Sequence, residues 1–566
     1  MNDIRKRIAE TVLRDNAVSG SGLTAEDIAG FIETPADRAR GDLALPCFRL
    51  SKALRARPDA VAQALCPLFG GDAEFERVEA VGGYLNFFYG AGKYLDDLRE
   101  LLCDSYPELS ARGAGKTICI DFSSPNIAKR FHLGHLGTTA IGNSLRNIFK
   151  SLGYNVVAIN YLGDWGTQFG KLIYAYLHWS NAERVKQRGI DELVDLYVRF
   201  CDAEKQDPSL SPLAREAFHE LESGNAEYLD IWKYFKEISL AEYKKTYDLL
   251  GIDFDSWDGE SFYTDKMPAV VRELREKGLL KTDNGAEIVD LSEFNMPPAL
   301  ILKSDGSTLY PTRDIAAAIW RKNKYDFDKC LYVTSNGQSL HFAQWFKVVE
   351  LLGYPWAKDL VHVAYGTMSI NGEKIASRTG NVVMLDDLLA KAIEKCGEIL
   401  AEKDSSVADR DSVAREVGVG AVIFNALSNS RIKDNDFNWD SALSFEGNTG
   451  PYVQYTYART ASVLRRAGGV SAPGADYTPN GDETALIAKL SAFPEALERA
   501  AADYEPSTIA RYALSVCAAF NQFYHNCRII GAGGSAEGYR LALAAASRNI
   551  LGRCLDLLGM ARTEEI

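Results

Sequence analysis

Lys116 to Leu162 reads KTICIDFSSPNIAKRFHLGHLGTTAIGNSLRNIFKSLGYNVVAINYL. TICIDF is a short apolar run of strand type, and Pro125 keeps SSPNIAKRFH out of a helix. LGHLGTTAIGNSLRNIFKSLG has helical spacing and stops near Gly153, and NVVAINYL is a second strand run. Strand, helix and strand over about 45 residues make a βαβ unit, expected to be parallel and right-handed.

Working outward, LYVTS (Leu331 to Ser335) and VHVAYG (Val361 to Gly366) extend the same sheet. Residues 180–250 are charged and helical in pattern, an insertion between strands. After about residue 390 the pattern is helical to the end, interrupted by GGVSAPGADYTPNGD around 468–482. The leading block mixes types. Ile4, Ile8 and Val12 mark an amphipathic helix, and YLNFFY (Tyr84 to Tyr89) is a strand behind Gly82-Gly83. The expectation is an α/β protein. Residues 1–110 form an α+β domain, 111–390 a Rossmann-like parallel-sheet domain with the insertion at 180–250, and 391–566 an all-α bundle.

A chain of 566 residues is too long for one core. No apolar run approaches the ~18 residues of a membrane span, and the first segment lacks an apolar signal core, so a cytoplasmic protein without membrane contact is expected. The ten cysteines are scattered singly, without a C-x-x-C pair or zinc spacing, so no metal site is expected. The net charge of −14 argues against nucleic acid taken globally, but binding uses local patches, and Arg38 to Arg57 carries six bases.

The βαβ unit opens at the carboxyl end of its first strand, where doubly wound sheets bind nucleotides and where a helix N-terminus favours phosphate. FHLGH stands there. His132 and His135 are expected on one face of the first helical turn, and Gly134 lets a nucleotide ring reach the backbone. Read alone, the pair also suits capping, or a metal for which no third ligand is near. In this position H-x-G-H resembles the adenylate-forming site of class I aminoacyl-tRNA synthetases. DFSSPNIAKRFHLGH and NYLGDWGTQFGKL resemble the arginyl-tRNA synthetase family in particular, and the likeness continues at intervals to the C-terminus.

The resemblance implies an arginine–tRNA ligase that uses ATP as its magnesium complex, L-arginine and the matching tRNA, and works as a monomer. It implies that His132, Gly134 and His135 hold ATP. NGEKIASRTGNVV corresponds to the family's second ATP loop, bringing Lys374, Ser377 and Arg378. By itself that stretch reads as a surface turn. Ser377 stands where a second lysine is usual, a loss for which Lys129 is implied to compensate. Arg130, Gly137 and Thr379 also depart from the family's common residues.

A guanidinium is planar and offers five donors, so its pocket wants a rigid carboxylate. YPTRDIAAA supplies Tyr310 and Asp314, four residues apart; taken alone, Asp314 also suits a helix cap or an ion pair. The resemblance makes Asp314 the guanidinium ligand and Tyr310 its ring partner. It assigns Asn126 and Gln338 to the substrate's polar ends, and it makes Asp121, which stands where glutamate is usual, a further arginine-binding residue.

Tyr452, Tyr455 and Arg459 recur at i, i+3 and i+7, on one helix face. Such a stripe is often core, but aromatics beside guanidinium also make a platform for unstacked bases. The resemblance implies the anticodon-binding domain here, with Tyr524 and Arg528 as an opposite wall. It implies a tRNA-contacting N-terminal domain, with Asn86 and Tyr89 as contacts. The competing readings are a class I synthetase for another amino acid, a small-molecule nucleotidyltransferase, and an inactive tRNA-binding paralogue. ATP–pyrophosphate exchange with each amino acid, with and without tRNA, separates them.

Overall fold

The computed structural model describes residues 2–35, 37–303, 310–374, 383–402, 407–470 and 472–566. The N-terminal helix is α1 (Asn2–Val12), with Ile4, Ile8 and Val12 buried as their spacing requires. β1 (Leu43–Pro46), β2 (Phe75–Val81) and β3 (Tyr84–Tyr89) form an antiparallel sheet in the order β1-β3-β2. Val81 pairs with Tyr84 across Gly82-Gly83, whose φ values of 59° and 80° fit a two-residue hairpin turn. Leu43, Leu45, Leu85 and Phe87 share a core with Ile8 and Val12. Helix α2 (Ala91–Cys103) follows.

The expected βαβ unit is β4 (Thr117–Asp121), α3 (Gly134–Ser151) and β5 (Asn155–Ile159). The insertion is helical, as read. α4 (Thr167–Trp179) leads into α5 (Ile190–Gln206), α6 (Leu210–Glu222) and α7 (Ala226–Leu250). A small antiparallel sheet, Leu280–Asp283, Ala286–Val289 and Ala299–Leu302, precedes α8 (Tyr310–Tyr325). Then come β6 (Lys329–Ser335), α9 (Ser339–Leu351) and β7 (Leu360–Tyr365).

The main sheet runs β7-β6-β4-β5 with every pair parallel. From β4 the chain crosses to β5 on one side, and from β6 it crosses to β7 on the other. The strand order therefore reverses between β4 and β6, and a crevice opens at their carboxyl ends. Cys119 on β4 and Cys330 on β6 are in register and fully buried, as the scattered-thiol reading expected of Cys119.

Beyond the sheet, β8 (Met368–Ile370) pairs with β9 (Glu373–Lys374). Helices α10 (Leu385–Glu402) and α11 (Arg410–Ser428) follow. A short strand, β10 (Asn435–Phe437), then runs parallel to β8, inside a region expected to be purely helical. Three residues are too few to show a period of two. The chain ends in α12 (Gly450–Ala467), α13 (Gly481–Ser491), α14 (Ser507–Asn526) and α15 (Gly534–Leu558). Two compact units result: Met1–Ser105 with Thr456–Glu495 and Leu514–Gly552, and Tyr106–Tyr455 with Ala496–Ala513 and Arg553–Ile566. No helix among the described residues is long and apolar enough to cross a membrane.

Helix α3 meets the sheet through Gly142, where a Cβ would lie 2.2–2.5 Å from Phe122 side-chain atoms. Gly142→Ala forces α3 away from β4. It is expected to cost about 1–3 kcal/mol, read as a lower denaturant midpoint at unchanged slope.

Candidate functional site

A cavity of about 520 Å³ fills the crevice at the carboxyl ends of β4 and β6. Asp121, Asn126, His135, Tyr310, Asp314 and Gln338, six of the residues singled out from sequence, line it. Glu260, Arg321 and His341, which sequence reading did not pick, line it too.

The loop that carries Asn126 is bent against its own preferences. Ser123, Ser124 and Ala128 have φ values of 70°, 49° and 58°, a region that non-glycine residues avoid. One face of α7 holds it there. The Ser239 hydroxyl accepts from Ala128 N (2.9 Å), Tyr243 OH lies 2.6 Å from the carbonyls of both Asn126 and Lys129, and Tyr247 OH bonds Ser123 Oγ (2.7 Å). The insertion is therefore a structural support of the site. Lys129 itself is exposed.

The histidines correct one expectation. Helix α3 starts at Gly134, so His132 precedes it instead of sharing its first turn. His132 lies opposite Met384 in a strand-like bridge. Leu133 N donates to Val383 O (3.0 Å), and Leu385 N donates to Phe131 O (2.8 Å). Gly134 N donates to His132 Nδ1 (3.1 Å), which leaves that ring's proton on Nε2 in the neutral form. His135 Nδ1 lies 3.2 Å from both the N and the O of His132. The two rings end 4.0 Å apart between centroids. Two N–H groups expected to face phosphate, those of Gly134 and His135, are thus spent on His132. The imidazoles remain as the donors. Gly134 is required because a Cβ there would stand 2.8 Å from the His132 ring. Gly137 sits against Tyr365, whose ring a Cβ would meet at 2.9 Å.

Charge in the cavity is arranged in pairs. Asp121 Oδ2 binds Arg321 Nη1 (2.8 Å), and Asp121 Oδ1 accepts from Ser124 Oγ (2.8 Å). Burial pushes the Asp121 carboxyl up, with the Arg321 charge and the hydrogen bonds opposing. Its grip is therefore already taken. The Arg321 guanidinium lies over the rings of Tyr161 (5.1 Å) and Tyr332 (5.6 Å). Asp314, on the first turns of α8, binds His341 Nε2 through Oδ2 (2.6 Å). Tyr310 opens α8 and is 65% exposed, one turn before Asp314, as its spacing required. Glu260 binds Arg313 Nη1 (3.1 Å) through Oε1, and burial pushes its carboxyl up to about 7. Burial pushes His135 down to about 3, with His132 and Lys129 adding to the fall, and burial likewise lowers His132.

Lys374 ends β9, and Ser377, Arg378 and Thr379 lie outside the described residues.

In the C-terminal helices, Tyr452, Tyr455 and Arg459 lie half-buried along α12. The Arg459 guanidinium sits over the Tyr524 ring (5.3 Å), and Tyr524 is 41% exposed. α14 stops at Asn526, so Arg528 does not continue the Tyr524 face as expected. It lies past the helix end, with Nε donating to Ile530 O (3.2 Å). In the N-terminal sheet Asn86 is 7% exposed, and Tyr89 packs against Phe75 and Tyr94. Asn86 is thus buried and Tyr89 half-buried.

Three family models match along the chain. They are "Arginyl tRNA synthetase N terminal domain" over 2–89, "tRNA synthetases class I (R), catalytic domain" over 98–439, and "DALR anticodon binding domain" over 453–566. An arginine–tRNA ligase of Alkaliphilus metalliredigens is 45% identical over 570 residues, covering 100% of both chains. One from Clostridioides difficile is 46% identical over 548 residues, covering 96% of this chain and 97% of its own. Among solved structures, Thermus thermophilus arginyl-tRNA synthetase superposes with a TM-score of 0.82 at 27% identity, over 99% of this chain and 100% of its own.

The low pKa of His135 makes a direct prediction. Its imidazole signals in 15N-resolved NMR stay constant from pH 5 to 9, and a titration step in that range would contradict the buried, neutral ring.

Proposed function

Because the chain belongs to the arginyl-tRNA synthetase family, we propose that the crevice between β4 and β6 is where its L-arginine meets ATP. The enzyme activates arginine with ATP to arginyl-adenylate and pyrophosphate, then transfers the arginine to the 3′ end of its tRNA. The observation that carries the site reading is that Asp314 and His135 line one cavity at the sheet's reversal point.

In the first step an oxygen of the arginine carboxylate attacks the α-phosphorus. The bond from that phosphorus to the bridging oxygen breaks, and pyrophosphate leaves. No covalent enzyme intermediate is needed, so the protein's work is to align two anions and stabilise spreading charge. His132 and His135 stand at the phosphate end as neutral N–H donors. Lys129, Lys374 and Arg378 supply the positive charge that pyrophosphate requires, alongside the magnesium that ATP brings, and the Ser377 hydroxyl is a neutral hydrogen-bond partner for ATP. Asp314 and Glu260 flank the guanidinium, Tyr310 covers its face, and Asn126 and Gln338 receive the amino-acid end. Asp121, already bound to Arg321, shapes the wall. A lysine ammonium cannot pair in a plane with two carboxylates, which is the basis for rejecting it.

In the second step a ribose hydroxyl of the tRNA attacks the acyl carbon and AMP leaves. Residues 1–110 and 391–566 hold the tRNA on either side of the catalytic block in sequence. Tyr452, Tyr455, Arg459, Tyr524 and Arg528 meet the anticodon bases. Asn86 and Tyr89 mark the part of the N-terminal domain that meets the tRNA. The enzyme works as a monomer in the cytoplasm.

Pyrophosphate exchange tests the pocket. Exchange should require arginine and appear only with the matching tRNA. Asp314→Asn leaves a guanidinium facing an uncharged group and should cost about 3 kcal/mol, raising the KM for arginine ~100-fold with little change for ATP. Exchange with another amino acid in place of arginine would reject the assignment. Glu260 holds its proton below about 7 and faces the substrate cation uncharged there. The kcat/KM for arginine should therefore rise from pH 6 to 8, and Glu260→Gln should flatten that rise. On the tRNA side, Tyr524→Ala should raise the KM for tRNA by roughly 5- to 100-fold, the worth of one stacked base, and leave arginine-site binding unchanged.

A further inference from the structure

Gly163 and Asp164 belong to GDWG, a string that the chemistry above leaves without a task. Asp164 is fully buried, and its carboxylate accepts three hydrogen bonds: from Ser261 N (2.8 Å), from Ser261 Oγ (2.8 Å) and from Lys236 Nζ (2.7 Å). Its carbonyl accepts from the Trp232 indole (2.8 Å). Lys236 and Trp232 both stand on α7, the helix that also holds the loop after β4.

Ser261 directly follows Glu260, the cavity carboxylate, and Glu260 N donates to Leu162 O (2.9 Å). Gly259 directly precedes it, and a Cβ there would stand 2.6 Å from the Asp164 carboxylate. The segment 259–261 is thus laid on 162–164 with no slack. The neighbouring Gly163 grips the other side of the cavity. It bridges Asn126, with Gly163 N donating to Pro125 O (3.1 Å) and Ile127 N donating to Gly163 O (3.2 Å). A Cβ at 163 would lie 1.8 Å from Asn126 Oδ1.

Two consecutive residues therefore tie together the two segments whose side chains face opposite ends of the substrate. A buried Asp–Lys pair adds little net stability against an apolar replacement, but it fixes geometry firmly. We propose that Gly163 and Asp164 are positioning residues for arginine. Gly163 through its backbone and Asp164 through its carboxylate set the separation between Asn126 at the amino-acid end and Glu260 at the guanidinium. This rests on the cavity being the arginine site.

The test uses the full-length enzyme with its tRNA in pyrophosphate exchange. Ser261→Ala removes one bond to Asp164 and leaves the Asp164–Lys236 pair intact. It should raise the KM for arginine about fivefold, the worth of one hydrogen bond, with the KM for ATP and kcat within about twofold. Asp164→Asn should do the same more strongly. Because it also leaves Lys236 without its charge partner, its Tm is recorded and Ser261→Ala decides. In a Glu260→Gln background the effect of Ser261→Ala should fall below about twofold, since no carboxylate remains to be positioned. Additive effects in that cycle, or equal rises in KM for ATP and arginine, overturn the proposal. If Glu260→Gln alone leaves the arginine KM unchanged, the arginine-site reading has failed and the clamp falls with it.

Discussion

Three hydroxyls on one face of α7 hold a six-residue turn in a shape it would not keep alone. Ser123, Ser124 and Ala128 lie in the left-handed region without being glycine, at a cost of order 1 kcal/mol each. Ser239, Tyr243 and Tyr247 repeat every four residues, so a single helix stripe meets the loop at its start, middle and end. Asn126 and Lys129 ride on that loop, and His132 follows it. If the stripe moved, Asn126 and the histidine pair would lose register together. Helix α7 also carries Lys236 and Trp232, so the same rigid rod supports Asp164.

The charges of the pocket follow a common pattern. Asp121, Glu260 and Asp314 are each bound by a protein donor: Arg321, Arg313 and His341. An isolated buried carboxylate would take up a proton, and Glu260 is already on the way to doing so. The partners favour negative charge on partly buried carboxylates, and they fix its direction. Among the described residues, the partner of Asp314 is met through Oδ2 and that of Glu260 through Oε1. Asp121 has both oxygens engaged, by Arg321 and Ser124, which makes it a wall of the site.

Much of this was legible in the sequence because it is local. Each parallel strand is an apolar run, and Tyr310 and Asp314 are spaced one helical turn apart. H-x-G-H sits where a strand gives way to a helix. What escaped is set by contacts distant in sequence. Glu260 stands in an ordinary polar stretch, and the contacts of its segment with Leu162 and Asp164, almost a hundred positions earlier, bring it to the cavity. His341 and Arg321 are unremarkable until the fold sets them against carboxylates. His132 stands two residues before the helix start, because the N–H groups of Gly134 and His135 turn back to the His132 ring and carbonyl. Arg528 failed for a related reason: four-residue spacing means one face only while the helix lasts. Asn86 carried a polar name in a strand that is buried on both sides.

The Gly137–Tyr365 contact restricts how this enzyme can change. Position 137 is glycine, and the Tyr365 ring from the end of β7 occupies the space that a side chain there would need. A side chain at 137 would collide with that ring unless residue 365 were smaller. The two positions are therefore coupled: the effect of a substitution at 137 depends on the size of the side chain at 365.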